Sequence, residues 1–178
     1  MKDAISPPSR PRMKETSMFK SLLKLSLLAA FASMLALPAF AADEVNVTRG
    51  ATLAGPGLAA RGYDVVAYFA TGTPTLGSDD FAVAQDGATY RFANQANLDA
   101  FKKDPAKYKP AFGGFCAYGV ALGKKFDGDP LYWKIVDGKL YLNLNGKIQS
   151  EWSKDILGNL GKAEGNWNKI RGTAVDKL

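Results

Sequence analysis

The chain has 178 residues, 47% of them hydrophobic, a formal charge of +6 and no histidine. Beyond residue 41 it holds no methionine and a single cysteine, Cys116. One soft ligand argues against a self-contained zinc or copper site in a monomer, and the lack of imidazole argues against cysteine and serine proteases of the usual kind. Residues 1–41 read as a secretory signal peptide. Lys20 and Lys24 open it, an apolar run follows from Leu25 to Leu37, and Ala39-Phe40-Ala41 is a small-x-small cleavage signal. The mature chain then begins at Ala42. The apolar run is shorter than the ~20 residues that a membrane-spanning helix needs. No cysteine stands directly after it at the cleavage site, so that route to a lipid anchor is closed, and no membrane anchor is expected after cleavage.

Six of the 23 basic and two of the 17 acidic residues lie in the leader, which leaves 17 basic and 15 acidic groups. A nearly balanced chain offers no electrostatic footprint for nucleic acid. One cysteine in an oxidising compartment rules out an intrachain disulfide, so stability must come from a core.

Residues 42–62 are rich in Gly, Pro and Ala and read as an extended lead-in. Tyr63 to Phe69 is β-branched and aromatic, which predicts a strand. Phe81 to Phe92 predicts a hairpin around Asp86-Gly87, a pair suited to the positive φ angles of a tight turn. That register sets Phe81 opposite Phe92 and Val83 opposite Tyr90 on one buried face. Asn94 is placed to cap a helix carrying Leu98 and Phe101, which ends before Asp104-Pro105. That pair restarts a short helix that turns Tyr108 inward. After Gly113-Gly114 the stretch Phe115 to Leu122 is apolar on all sides and therefore buried. A second hairpin, Leu131 to Leu144 around Asp137-Gly138, sets Trp133 opposite Leu142 and Leu131 opposite Leu144. The two hairpins look alike in shape, with no sequence repeat beyond that. From about Asp155 a helix carries Ile156, Leu160, Ala163 and Trp167 at helical spacing. The expected fold is α+β: one small domain, residues 63–170, with two β-hairpins packed on short helices, a C-terminal helix, and a tail at 171–178.

The strings Gly62-Tyr63-Asp64-Val65-Val66-Ala67-Tyr68-Phe69, Gly87-Ala88-Thr89-Tyr90-Arg91-Phe92 and Asp104-Pro105-Ala106-Lys107-Tyr108 resemble the YHS domain family. So do Gly113-Gly114-Phe115-Cys116-Ala117-Tyr118 and the stretch from Trp133 to Asn143, in the manner of its secreted bacterial members. The resemblance covers roughly residues 62–167 and implies a core like that of treble-clef folds. Metal-handling members carry cysteines in the first strand and first helix. Here Ala67 and the stretch from Ala93 to Asn97 stand in those places, and the family's histidine is missing.

Cys116 is the one intrinsically reactive side chain. It reads either as a thiol activated at a helix start or as a small buried hydrophobe. Tyr63, Asp64, Tyr68 and Tyr118 are candidates for a cleft with polar tips and apolar walls, joined by Cys116; core aromatics are the competing reading. Asp127-Gly128-Asp129 is too short for a calcium loop and reads as a surface turn. The expectation is a periplasmic or secreted, non-catalytic binding or interaction module. Its partner is an unidentified small molecule or periplasmic protein, and the sequence specifies no cofactor and no metal site. The alternative is metal or redox handling through Cys116, with two chains each giving one thiolate. An enzyme needs Cys116 activated by Asp64 or a lysine, and no spacing demands that.

Overall fold

The computed structural model describes residues 44–48 and 57–178; the leader, its cleavage signal and residues 42–43 and 49–56 of the lead-in lie outside the described residues. Described parts of the lead-in form two short strands, β1 (Val47–Thr48) and β2 (Leu58–Ala59), and a 3-10 turn follows at Ala60–Gly62. Next come α1 (Ala67–Ala70), the hairpin β3 (Ser78–Gln85) and β4 (Ala88–Phe92), α2 (Gln95–Lys103) and α3 (Pro105–Tyr108). A second 3-10 turn, Ala111–Gly114, leads to α4 (Ala117–Ala121), the hairpin β5 (Asp129–Val136) and β6 (Lys139–Asn143), α5 (Gly146–Ser153) and α6 (Ile156–Ile170). The fold is mixed α+β. One sheet has the order β1-β2-β4-β3, with β2 parallel to β4, and β5-β6 form the other.

Local chemistry explains most boundaries. Asn94 accepts a hydrogen bond from the Asn97 N–H at 2.9 Å, Asp104 from Lys107 at 3.1 Å and Asp155 from Gly158 at 2.9 Å, so each side chain satisfies a donor at a helix start. Both hairpin turns take the positive φ angles that their Asp-Gly pairs permit, 51° and 77° at Asp86-Gly87, 49° and 73° at Asp137-Gly138.

Four expectations are corrected. The apolar stretch Phe115 to Leu122 is not buried throughout, since Leu122 is 60% exposed and Tyr118 half-buried. The segment Tyr63 to Phe69 is not a strand. Tyr63 makes only an isolated bridge with Leu76, and the chain then turns into α1. The cause is Asp64, whose Oδ1 accepts the Val66 and Ala67 N–H groups at 2.8 and 3.2 Å and so holds the turn that starts the helix. Phe81 does not face Phe92, because the ladder shifts between Ser78 and Ala82 and Phe92 pairs with Ser78. Val83 does face Tyr90. In the second hairpin Trp133 faces Leu142, but a shift between Asp129 and Trp133 puts Asp129 opposite Asn143 and leaves Leu131 57% exposed. A bulge of this kind bends a strand and ends its register.

The two halves share one plan. Ser78 and Asp129, Ala82 and Trp133, Gln85 and Val136, Phe92 and Asn143, and the caps Asn94 and Asn145 are all pairs 51 positions apart. The 3-10 turns match at a spacing of 52. Ala60, Arg61 and Gly62 have φ of 48°, 51° and 80°; Phe112, Gly113 and Gly114 have 53°, 62° and 81°. Gly113 is required on a second count, since a Cβ there would run into the Glu44 carbonyl.

Burial follows the same plan. Val65, Tyr68, Tyr90, Phe92, Leu98 and Phe101 form a first core with Leu140 and Leu142. Phe115, Ala117, Val120, Trp152, Leu160 and Ala163 form a second with Tyr141. Alternation along β6 therefore makes it the wall between the two, with Leu140 and Leu142 on one side and Tyr141 on the other. Tyr90 stacks near Phe101 at 4.8 Å and Tyr141 near Trp152 at 6.0 Å, again with each member 51 positions from its counterpart.

Candidate functional site

The sequence-derived candidates fall into two groups. Tyr63, Asp64 and Tyr68 surround α1. Asp64 is fully buried, and its Oδ2 accepts the Ala93 N–H at 2.9 Å and the Asn97 side-chain amide at 2.6 Å. With the two helix-start donors, all its lone-pair directions are engaged inside the protein. Tyr68 is buried, donates its hydroxyl to the Pro130 carbonyl at 2.9 Å and meets Trp133 edge-on at 5.0 Å. Burial, then the neighbouring Tyr63, Asp129 and Asp64, push its pKa far above the ordinary tyrosine value. Tyr63 is half-buried.

Cys116 and Tyr118 belong to α4. Cys116 is 1% exposed and caps the helix, with Sγ accepting the Gly119 N–H at 3.4 Å. The thiol lies 3.7 Å from Asn143 Oδ1, which also accepts the Tyr118 N–H at 3.4 Å. Backbone N–H groups of Gly119, Leu144 and Tyr118 favour thiolate, but burial outweighs them and raises the thiol pKa. Cys116 stands 52 positions after Asp64 in the matching turn, and Leu144 stands 51 after Ala93. The thiol thus fills the place that a carboxylate fills in the first half. Tyr118 is half-buried and packs against the second core. Among the described residues no cluster of three or more His, Cys, Asp or Glu is arranged to hold a metal ion.

An open groove of about 430 Å³ lies elsewhere, over β6 in the second half. Phe112, Tyr141 and Trp167 form its aromatic floor, and Lys139, Glu164 and Asn168 stand around it. Phe112 is the hub of the floor, with ring centroids 5.7 Å from Tyr141 and 5.9 Å from Trp167. Each element positions its residues for a simple reason. Lys139 and Tyr141 are two apart on β6 and share a face, while Glu164, Trp167 and Asn168 are three and four apart on α6 and share a stripe. The α6 helix is tied down by Asn166, which donates to the Val120 and Ala121 carbonyls at 3.1 and 3.0 Å. Lys125 adds to this from below: it is 4% exposed, donates to the Arg171 and Thr173 carbonyls at 2.5 and 2.7 Å, and lies 5.6 Å from the Trp167 ring centre. At the rim Lys139 Nζ and Glu164 Oε1 are 3.9 Å apart and both side chains are over 60% exposed.

None of the groove residues was singled out by the sequence as a ligand-binding residue. Trp167, one of four residues expected at helical spacing on the C-terminal helix, packs on the second core and also lines the groove. The i, i+3, i+4 set Glu164, Trp167, Asn168 was the one available signal, and it is common on any amphipathic helix. No family model, curated protein or solved structure matches this chain. No described helix is long and apolar enough to cross a membrane.

Proposed function

We propose that this protein is a secreted, periplasmic binding module of the YHS type, without catalysis, and that the groove over β6 is its ligand site. The groove carries this reading: an aromatic floor with three hydrogen-bonding side chains around it is the make-up of a small-molecule site. The buried cysteine supports the same choice. Its thiol is shielded, held by the fold and pushed towards the protonated form, which leaves neither a ready nucleophile nor an accessible thiolate for a second chain.

Native mass spectrometry of the protein taken from its own periplasm tests the proposal. The expected species is a chain starting at Ala42 that carries one small organic molecule. Trp167→Ala, checked for folding by its melting curve, is expected to lose that molecule. A ligand retained by folded Trp167→Ala would place binding outside the groove, and an uncleaved chain in the membrane fraction would overturn the periplasmic reading.

A further inference from the structure

We propose that residues 44–48 are a maturation strap: an arm that seats across both halves of the domain only after the leader has been cut away, and that locks them together when it does. This rests on the export part of the functional reading above and not on the groove.

The strap grips both halves. Val47 and Thr48 pair with Ala59 and Leu58 of β2, and Val45 packs against the first core. Asn46 donates its backbone N–H to the Gly113 carbonyl at 2.8 Å and its side-chain amide to the Gly114 carbonyl at 3.3 Å, both in the turn that opens the second half. The Glu44 carboxylate lies 3.5 Å from Arg171, just past the end of α6. The second half is also shaped to receive the strap, since a Cβ at Gly113 would run into the Glu44 carbonyl. Positive φ does not set this position apart. Arg61, in the matching place 52 positions earlier, carries a side chain at φ 51° against 62° at Gly113. What sets it apart is the strap, whose backbone approaches too closely for any side chain.

The order of events follows from the strap's place in the chain. Only Ala42 and Asp43 separate Glu44 from the expected cut, a reach of about 7 Å at full extension. While the leader is held in the membrane, a seated strap would press the domain onto the membrane surface and cover the bond that a signal-processing peptidase must reach. Cleavage therefore comes first. Water adds across the Ala41–Ala42 bond, leaving a carboxylate on the leader and an ammonium on Ala42, and the freed arm then seats. Its grip suits a late step: separate hydrogen bonds and an exposed ion pair close onto two cores that take only Val45 from it.

Hydrogen–deuterium exchange read by mass spectrometry tests this. The mature chain is compared with a full-length Ala41→Asp precursor, which is uncleaved and held in its native membrane. Peptides covering residues 44–48 are expected to exchange at least about tenfold faster in the precursor, while those covering Leu140 to Leu142 stay equally protected in both. Equal protection of residues 44–48 overturns the maturation step. So does a precursor in which Leu140 to Leu142 is unprotected as well, because seating the strap is then no separate event. In the mature chain, Asn46→Ala and Gly113→Ala are each expected to speed exchange of residues 44–48 about tenfold and to leave the β6 peptides unchanged. Asn46→Ala touches neither core, so it reads the strap even where Gly113→Ala fails to fold; unchanged exchange in it overturns the grip. A wild-type chain that keeps its leader overturns the export reading and with it the order of events, and leaves the grip to be decided by Asn46→Ala.

Discussion

Asp64 gives the sharpest test of how the first half is held together. Its carboxylate is fully buried and accepts from Val66, Ala67, Ala93 and the Asn97 amide at 2.8, 3.2, 2.9 and 2.6 Å. It joins the start of α1 to the end of the β3–β4 hairpin and to α2. Asp64→Ala removes the acceptor for all four donors at once. The Val66 and Ala67 bonds are buried, so water does not replace the oxygen there. Each buried donor left unmet costs about 1–3 kcal/mol, and breaking a buried charged network costs about 3–5 kcal/mol. We expect Asp64→Ala to lose about 3–5 kcal/mol, a large share of the roughly 5–15 kcal/mol that holds a domain folded. Asp64→Asn is expected to lose less, about 2 kcal/mol: one oxygen remains to cap α1, while its amide nitrogen faces the donors of Ala93 and Asn97. Urea unfolding followed by circular dichroism measures both, provided the slope with denaturant stays constant. A loss below about 1 kcal/mol in Asp64→Ala would refute the claim that this carboxylate organises the first half.

Two further predictions concern the core and the thiol. Phe92 is fully buried, so Phe92→Ala is expected to cost about 3–5 kcal/mol in the same assay, while Phe81→Ala, half-buried beside the bulge, costs less than half as much; equal losses would restore the unbulged register. Cys116 is expected to react slowly with a thiol reagent in native buffer and fast in denaturant; fast native labelling near neutral pH would make it a functional thiol. The same burial sets an alkaline limit. The Cys116 and Tyr141 pKa values are raised by folding from ordinary values of 9.0 and 10.0, so the unfolded chain loses these protons first. Their contribution is complete below about pH 8 and is lost as the pH rises through the folded-state values, so the melting temperature should fall above about pH 9.

Much of the local structure was legible. The caps Asn94, Asp104 and Asp155 and the turns Asp86-Gly87 and Asp137-Gly138 act through their own backbone neighbours, and the hydrogen bonds that define them span three residues or fewer. The failures share a cause. A β-branched, aromatic segment reads as a strand, but Asp64 holds a turn through the Val66 and Ala67 N–H groups, and its other oxygen is fixed by Ala93 and Asn97, 29 and 33 positions away. The hairpin pairings Phe81–Phe92 and Leu131–Leu144 assumed unbroken ladders, and a bulge leaves no composition signal at these positions. The groove was hidden for a similar reason. Its floor takes one ring from a 3-10 turn, one from a strand and one from a helix, and no spacing along the chain links them.

What the sequence determined by itself is what short-range chemistry controls: the α+β class, the two tight turns, the helices started by Asn94 and Asp104, and core residues such as Tyr90, Phe92, Leu98 and Phe101; the helix Gly146–Ser153 and the buried Leu140, Tyr141 and Trp152 were not among its expectations. The tertiary structure decided the rest. It made the two halves repetitions of one plan although different residues fill matching places: Asp64 and Cys116, Phe92 and Asn143, Phe101 and Trp152. A backbone plan is kept by φ angles, register and burial, and these tolerate exchange of side chains that meet the same steric and hydrogen-bonding demands. A carboxylate and a thiol both accept the amide hydrogens that converge on them, so the chain repeats its geometry without repeating its letters.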